Sequence, residues 1–379
     1  MARQFGRVAG PRLLPGRSPR FLLLMRLPLG DTLFVTPTIH ALRKRYPGAQ
    51  MTAVASGANA PLLAHNPDLD DTLVLPFWGD WRGGGTLPAQ LRVLLQRHYD
   101  IALCFNTPGL GWLSYACGIR RQEFLNYLPF WWLLPHDFAA WNSCHAVELY
   151  ATAARRLDIP PLERRTHVQV IPAEHAGIAG LLHQLRLNRA PLRIVMHPGS
   201  GAAPVQKRWP LSHFVEVGRT LAEQTGAHII VAGGPAEQAL ATQLSRAIGP
   251  AAVSLAGRLQ LRQSMALFAA CDLFIGNDSG PLHLAAAVGT PAVGIYGATD
   301  PAVFGPWAPP GQVVTIQPAG VQPVIHFVGG APIWEQLDAI RRPSATLAAV
   351  PPAAVAAAAL RLLEQHAPAD AAEVEAAAR

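Results

Sequence analysis

The sequence is short of lysine, of acid near its start and of any long apolar run. Only Lys44 and Lys207 are lysines among 31 basic residues, so the chain uses arginine almost wherever a cation serves, and each lysine that remains is worth inspecting. Residues 1–20 hold five arginines and no acid, set among Gly and Pro. That composition cannot bury a core, and residues 1–19 read as a disordered basic tail, a plain extension or a contact for anionic lipid. The same stretch lacks the apolar centre of a signal peptide. No run approaches the roughly 18 apolar residues of a membrane span, so a cytoplasmic protein is expected. Cysteine is scarce too: Cys104, Cys117, Cys144 and Cys271 are irregularly spaced, which fits neither a zinc site nor a disulfide framework. They read as small buried apolar residues.

What is there is a chain of 379 residues, 50% hydrophobic and 15% charged, long enough for two domains that each bury a core. A net charge of +7 implies attraction to something anionic: nucleic acid, a membrane surface or a phosphorylated substrate. No nucleic-acid module and no aromatic-basic interleaving is present, so nucleic acid is not an expected partner.

From Phe21 the chain alternates β-rich runs (FLLLMRL, QMTAVAS, TLVLPF, DIALCFN) with amphipathic stretches (TLFVTPTIHALRKRYPG, ANAPLLAHNP, LPAQLRVLLQRHY). This is the rhythm of βαβ units and a parallel sheet. Helix HAVELYATAARRLDI closes the half. Residues 124–141, FLNYLPFWWLLPHDFAAW, carry three Trp and three Phe. Two readings stand, a core segment wrapping the sheet or an exposed patch facing lipid. IPPLERRTHVQVIPAEHAG reads as the passage to a second domain. There the rhythm restarts: strand LRIVMHPGS; helix WPLSHFVEVGRTLAEQTG with Phe214, Val217 and Leu221 on one face; strand HIIVAGG; helix AEQALATQLSRAIG; strand AVSLAG; helix LRQSMALFAAC; strand DLFIGND; helix GPLHLAAAVG; strand PAVGIYG. VPPAAVAAAALRLLEQHA is a final helix.

Four junctions carry candidate chemistry. After the first strand, RLPLGD places Asp31 at the mouth of a helix, where a carboxylate serves as an N-cap or as a base. In HPGSGAAPVQKR, Gly199, Ser200 and Gly201 let backbone N–H groups approach an anion, and Lys207 adds a charge. In GGPAEQ, Glu237 is a first-turn acid favoured by the helix dipole or a ligand for ribose hydroxyls. In NDSGPLHLAAAVG, Asp278, Ser279 and Gly280 collect donors at a helix N-terminus, with His283 one turn in. On burial habits alone a lone histidine on an apolar helix is a core residue; beside NDSG it is a candidate ligand. In open α/β sheets, ligands bind at the carboxyl ends of strands, which is where all four junctions fall.

Taken together and in order, RLPLGDTLFVTPTIHALRKRYPGAQ with APLLAHNPDLD, then HPGSGAAPVQKRWP, then NDSGPLHLAAAVGTPAVGIYGATDP, the chain resembles the ADP-heptose:lipopolysaccharide heptosyltransferases of glycosyltransferase family 9, over roughly residues 20–310. The resemblance implies the GT-B fold: two Rossmann-like domains with parallel sheets facing a central cleft that domain closure completes. The expected division is a tail over 1–19, an acceptor-side domain over 20–172 and a nucleotide-sugar domain over 173–350. The remainder, 351–379, is a terminal helix expected to pack back on the first domain, with a frayed tail. It further implies Asp31 as general base, Lys207 as the neutraliser of the donor diphosphate, Glu237 on the adenosine ribose, and Asp278, Ser279, Gly280 and His283 beside phosphates and sugar, with Gly199 and Ser200 in the donor loop. The reaction implied is inverting heptosyl transfer from ADP-heptose to a lipopolysaccharide core, with no metal and no cofactor, at the inner face of the cytoplasmic membrane with peripheral contact.

Two departures stand out. Only LPLG separates Arg26 from Asp31, where the family commonly has one more residue, and the cysteine-rich stretch many relatives carry near the C-terminus is missing from residues 315–345. They keep two alternatives in view: a family member using another nucleotide sugar or glycan acceptor, and a degenerate GT-B protein that binds a nucleotide sugar without turnover. A dehydrogenase is disfavoured, because no G-x-G-x-x-G follows the first strand.

Overall fold

The structure, a computed structural model, describes residues 18–74, 92–105, 114, 118–119, 121–125, 144–201, 207–297, 299–320 and 345–367. The basic tail over residues 1–17, the Gly83–Gly85 loop, Cys117, residues 126–141 of the aromatic segment and residues 321–344 lie outside the described residues. The chain divides into two compact units, residues 1–136 with 147–163, and residues 137–146 with 164–379.

The first unit carries a five-stranded sheet: β1 (Arg20–Leu24), β2 (Gln50–Ala55), β3 (Asp71–Val74), β4 (Ile101–Phe105) and β5 (Arg121–Leu125), in the order β3-β2-β1-β4-β5. Every pairing is parallel. Central parallel strands are covered on both faces and so read as unbroken apolar runs. Phe21, Leu22, Leu23 and Leu24 of β1 and Ile101 to Phe105 of β4 are accordingly all buried. Helix α1 (Leu29–Arg45) follows β1 and buries Thr32 to Ile39 without a break. Its cap position falls to Pro28, so Asp31 is a first-turn residue and not the N-cap. The helix expected over HAVELYATAARRLDI is α-helical only over α2 (Ala146–Ala151) and tightens to a 3₁₀ turn over Thr152–Leu157.

The second unit repeats the plan. Its strands are β6 (Arg193–His197), β7 (His228–Val231), β8 (Ala252–Ser254), β9 (Leu273–Asn277), β10 (Ala292–Ile295) and β11 (Val313–Ile316), all parallel, in the order β11-β10-β9-β6-β7-β8. Counted from β6, this is the doubly wound 3-2-1-4-5-6 order, in which strand order reverses between the first and fourth strands. Its longer helices are α3 (Pro172–Gln184), α4 (Leu211–Thr225), α5 (Gln238–Ile248), α6 (Leu261–Ala269), α7 (Gly280–Ala287) and α8 (Pro352–Gln365). The predicted stripe of α4 is the buried one: Phe214, Val217 and Leu221 are fully enclosed.

The terminal helix α8 has its apolar face, Val355, Ala356, Ala358, Ala359 and Leu362, in the core of the second sheet with α4. Small residues at this spacing let a helix approach a sheet closely. The interdomain passage also holds a helix, α3: Pro172 opens it, and Glu174 reaches back to accept the Ile171 N–H at 3.1 Å, the signature of a helix start.

Candidate functional site

In the first unit the candidate group is Asp31, just past the carboxyl end of β1, where the sheet's strand order reverses between β1 and β4. The turn that delivers it is tied down on both sides. Leu27 O accepts from Asn59 Nδ2 at 2.7 Å, and Pro28 O accepts from Thr32 Oγ1 at 2.8 Å. Asp31 is half-buried, and its Oδ1 accepts a hydrogen bond from the Tyr150 hydroxyl at 2.7 Å. Tyr150, on α2, is buried and packs edge-on against Phe105 at the end of β4, with ring centroids 6.4 Å apart. Nothing in the spacing of the sequence pointed to Tyr150, which lies 119 positions from Asp31.

In the second unit the loops after β6, β7 and β9 supply the candidates, and β6 and β9 flank the reversal of strand order. Asn277, at the end of β9 and fully buried, links them. Its amide donates to Pro198 O at 3.0 Å and Gly199 O at 2.9 Å, while its oxygen accepts the Trp209 N–H at 3.0 Å. Trp209 is pinned at its other end by Nε1 donating to Val350 O at 3.1 Å. The position of Lys207, two residues earlier, is thereby set by buried partners. Ser200 Oγ accepts from Arg208 Nε at 3.2 Å.

Glu237 ends a 3₁₀ turn, Pro235–Glu237, that leads into α5. It is 6% exposed. Oε1 accepts the Gly201 N–H at 2.9 Å; Oε2 accepts the Gly234 N–H at 2.9 Å and faces His197 Nε2 at 3.2 Å. Burial works to raise its pKa, but the His197 bond and the two backbone N–H groups win and hold it down at about 2. The carboxylate thus braces the loops after β6 and β7. Gly199 is required by it: a Cβ at that position would lie 1.8 Å from Oε1. Of the loop N–H groups expected to face an anion, that of Gly201, a residue at φ +60°, is turned onto Glu237.

Lys207 Nζ donates to Asp278 Oδ2 at 2.7 Å. Burial opposes ionisation of Asp278, yet Lys207, His283 and a Thr299 hydrogen bond bring its pKa below the ordinary carboxylate value. His283, almost fully buried in the first turn of α7, has its pKa pushed down to about 4: burial dominates, Asp278 pulls the other way, and His145 and Lys207 push it further down. It is a neutral imidazole at pH 7. Helix α7 starts at Ser279 with no side-chain cap, because Ser279 Oγ turns back to Asn277 O at 3.2 Å. The Gly280 N–H and the positive end of the helix dipole are left for an anion.

The structure therefore gathers Lys207, Asp278, Ser279, Gly280 and His283 at one strand end, adds Gly199, Ser200 and Glu237 through the shared brace, and places Asp31 in the other unit. His145, Thr299, Asn277 and His197 join these groups without having been singled out in the sequence. Asn277, His197 and Thr299 stand inside the motifs already quoted; for His145, as for Tyr150, only the fold reveals the proximity.

Comparison with known proteins gives a consistent result. A family model described as glycosyltransferase family 9 (heptosyltransferase) matches residues 136–323. Lipopolysaccharide heptosyltransferase 3 of Escherichia coli K12 is 25% identical over 368 residues, 89% of this chain and 96% of its own length. Lipopolysaccharide heptosyltransferase 2 of the same organism is 25% identical over 76% of this chain and 85% of its own. Among solved structures, a glycosyltransferase family 9 protein from Veillonella parvula superimposes with a TM-score of 0.77 over 92% of this chain and 98% of its own, at 19% identity. The E. coli ADP-heptose lipopolysaccharide heptosyltransferase II does so with a TM-score of 0.72, over 92% and 100%, at 22% identity. These likenesses establish the GT-B fold.

Proposed function

We propose that this chain, a glycosyltransferase similar to those of family 9, moves a heptose from ADP-heptose to a lipopolysaccharide core acceptor, inverting the anomeric centre without a metal. The observation that carries this reading is Lys207, the one lysine of the second half, held at a switch point beside the uncapped start of α7.

In a single displacement the acceptor hydroxyl attacks the anomeric carbon, the bond from that carbon to the ADP phosphate oxygen breaks, and the hydroxyl proton goes to a base. Asp31 is that base, a half-exposed carboxylate on a tethered turn. ADP leaves carrying extra negative charge. Lys207 and the Gly280 N–H meet that charge, and the ammonium has three donors, enough to bond a phosphate oxygen while keeping Asp278. His283, being neutral, contributes hydrogen bonding and shape without charge. Glu237 serves the ribose only through the lone-pair capacity left on Oε1, since Oε2 already accepts two bonds. Among the described residues no helix is long and apolar enough to cross a membrane, and a lipid-linked acceptor is reached through peripheral contact with the inner face of the cytoplasmic membrane.

Calorimetric titration of ADP, GDP, UDP and dTDP into the wild-type protein and into Lys207→Ala tests the donor side. ADP is expected to bind tightest and to lose at least tenfold affinity in Lys207→Ala. Equal affinity for all four nucleotides, or no loss in the variant, overturns the assignment of donor and of Lys207.

A further inference from the structure

We propose that Tyr150 is the positioning residue of the base: its hydroxyl fixes the Asp31 carboxylate in the one rotamer that presents it to the acceptor. The proposal rests on the reading of Asp31 as base given above. Oxygen to oxygen, the contact is 2.7 Å, the length of a hydroxyl donating to a carboxylate, and bonds of this type are stronger than neutral ones. A first-turn aspartate on an α-helix has more than one staggered χ1 open to it, and Asp31 is only half-buried. A base that samples several rotamers spends part of its time out of reach of the hydroxyl, and a misplacement of about 1 Å costs on the order of a hundredfold in rate.

Tyr150 is suited to prevent this. It is 4% exposed, so its ring cannot swing away. Its edge-on packing against Phe105, itself fully buried at the end of β4, ties the phenol to the strand beside β1. Asp31 is carried by the turn after β1. Asp31 thus follows β1 directly and the Tyr150 ring packs on the end of β4, the two strands between which the strand order reverses, so the sheet helps to set the distance between them. The hydroxyl takes one position on Oδ1. A competing effect has the opposite sign: a donor to a carboxylate lowers its basicity and by itself slows proton abstraction. Over a single neutral donor that loss is smaller than the gain from a fixed rotamer, so the net effect of the hydroxyl is to accelerate.

The test compares Tyr150→Phe, Asp31→Asn and the double variant with the wild-type chain. Measured quantities are acceptor-dependent ADP release from ADP-heptose, ADP affinity by calorimetry, and the thermal midpoint. Tyr150→Phe keeps the ring and its packing. It is expected to lower kcat roughly tenfold while leaving ADP affinity and donor KM within twofold, a split that loosened packing would not give. In the Asp31→Asn background, removing the hydroxyl is expected to change the residual rate by less than twofold, because there is no base left to position. An unchanged kcat in Tyr150→Phe overturns the proposal, and so does an equal loss in both backgrounds. If Asp31→Asn itself retains full turnover, it is the base assignment that has failed, a result separable from the first two. Should Tyr150→Phe lower the thermal midpoint by more than a few degrees, Leu42→Ala, a fully buried change about three turns along α1 from Asp31, supplies the control. It loosens the same unit and leaves both the hydroxyl and its Phe105 packing in place, and a loss of kcat matching that of Tyr150→Phe overturns the proposal.

Discussion

Replacing Glu237 with glutamine is the sharpest probe of the brace between the loops after β6 and β7. The side chains are nearly isosteric, so no cavity opens, but the hydrogen-bond inventory changes. Both carboxylate oxygens accept backbone N–H groups, from Gly201 and from Gly234, each at 2.9 Å. A glutamine has one oxygen, and whichever way its amide is turned one N–H faces another N–H. A buried donor left without its acceptor costs about 1–3 kcal/mol. An independent measure comes from ionisation. A carboxyl group brought from its ordinary 4.5 to about 2 by folding contributes about 3 kcal/mol at neutral pH. The group's pKa is depressed, so this stability is complete above about pH 4.5 and is lost as pH falls toward 2. Both routes are consistent with a cost of about 1–3 kcal/mol for Glu237→Gln at pH 7. Over the size of the second unit this corresponds to a fall in thermal midpoint of roughly 2–4 °C per kcal/mol. Thermal unfolding followed by circular dichroism between pH 7 and pH 3 is the assay. The variant should start lower at pH 7 and show a shallower decline below pH 4.5 than the wild-type chain. A variant within 1 °C at pH 7 and parallel to wild type on acidification would refute the brace.

Other perturbations have defined outcomes. Asp278→Asn removes the charge that holds Lys207 at 2.7 Å and is expected to tighten ADP binding several-fold, because the ammonium no longer divides itself between two anions; weaker ADP binding would contradict that competition. His283, neutral with its pKa at about 4, contributes stability that is present above about pH 6.5 and lost as pH falls to about 4, so His283→Gln should flatten the thermal midpoint in that window, as read by calorimetric scans. Phe214→Ala, in the fully buried stripe of α4, is expected to cost about 3–5 kcal/mol in urea unfolding.

Much of the architecture is visible in the residues because parallel strands buried on both faces have to be apolar throughout. FLLLM, IALCF and LFIG declare themselves, and the 3.6-residue stripe of Phe214, Val217 and Leu221 declares α4. The strands β5 and β11 do not, since RQEFL and VVTI lack a distinctive run. Helix α3 was hidden because its entry is set by Pro172 and Glu174 and not by periodicity. On the site, the scarcity of lysine singled out Lys207, and NDSG singled out Asp278 and its neighbours. The brace role of Glu237 was beyond reach, because its three partners come from two loops and one strand end that pair only when the sheet forms. Tyr150 was equally out of reach: a tyrosine near the end of a short helix carries no local mark of what its hydroxyl touches.

The central claim is heptosyl transfer, and the measurement that bears on it most directly is a single reaction of the purified chain with ADP-heptose and a delipidated lipopolysaccharide core acceptor, followed by ADP release and by mass spectrometry of the acceptor. The account predicts acceptor-dependent ADP release, with one heptosyl unit added per ADP and no turnover of GDP-, UDP- or dTDP-sugars. Tight ADP binding with no mass added to the acceptor, or transfer from one of the other nucleotide sugars, would contradict it.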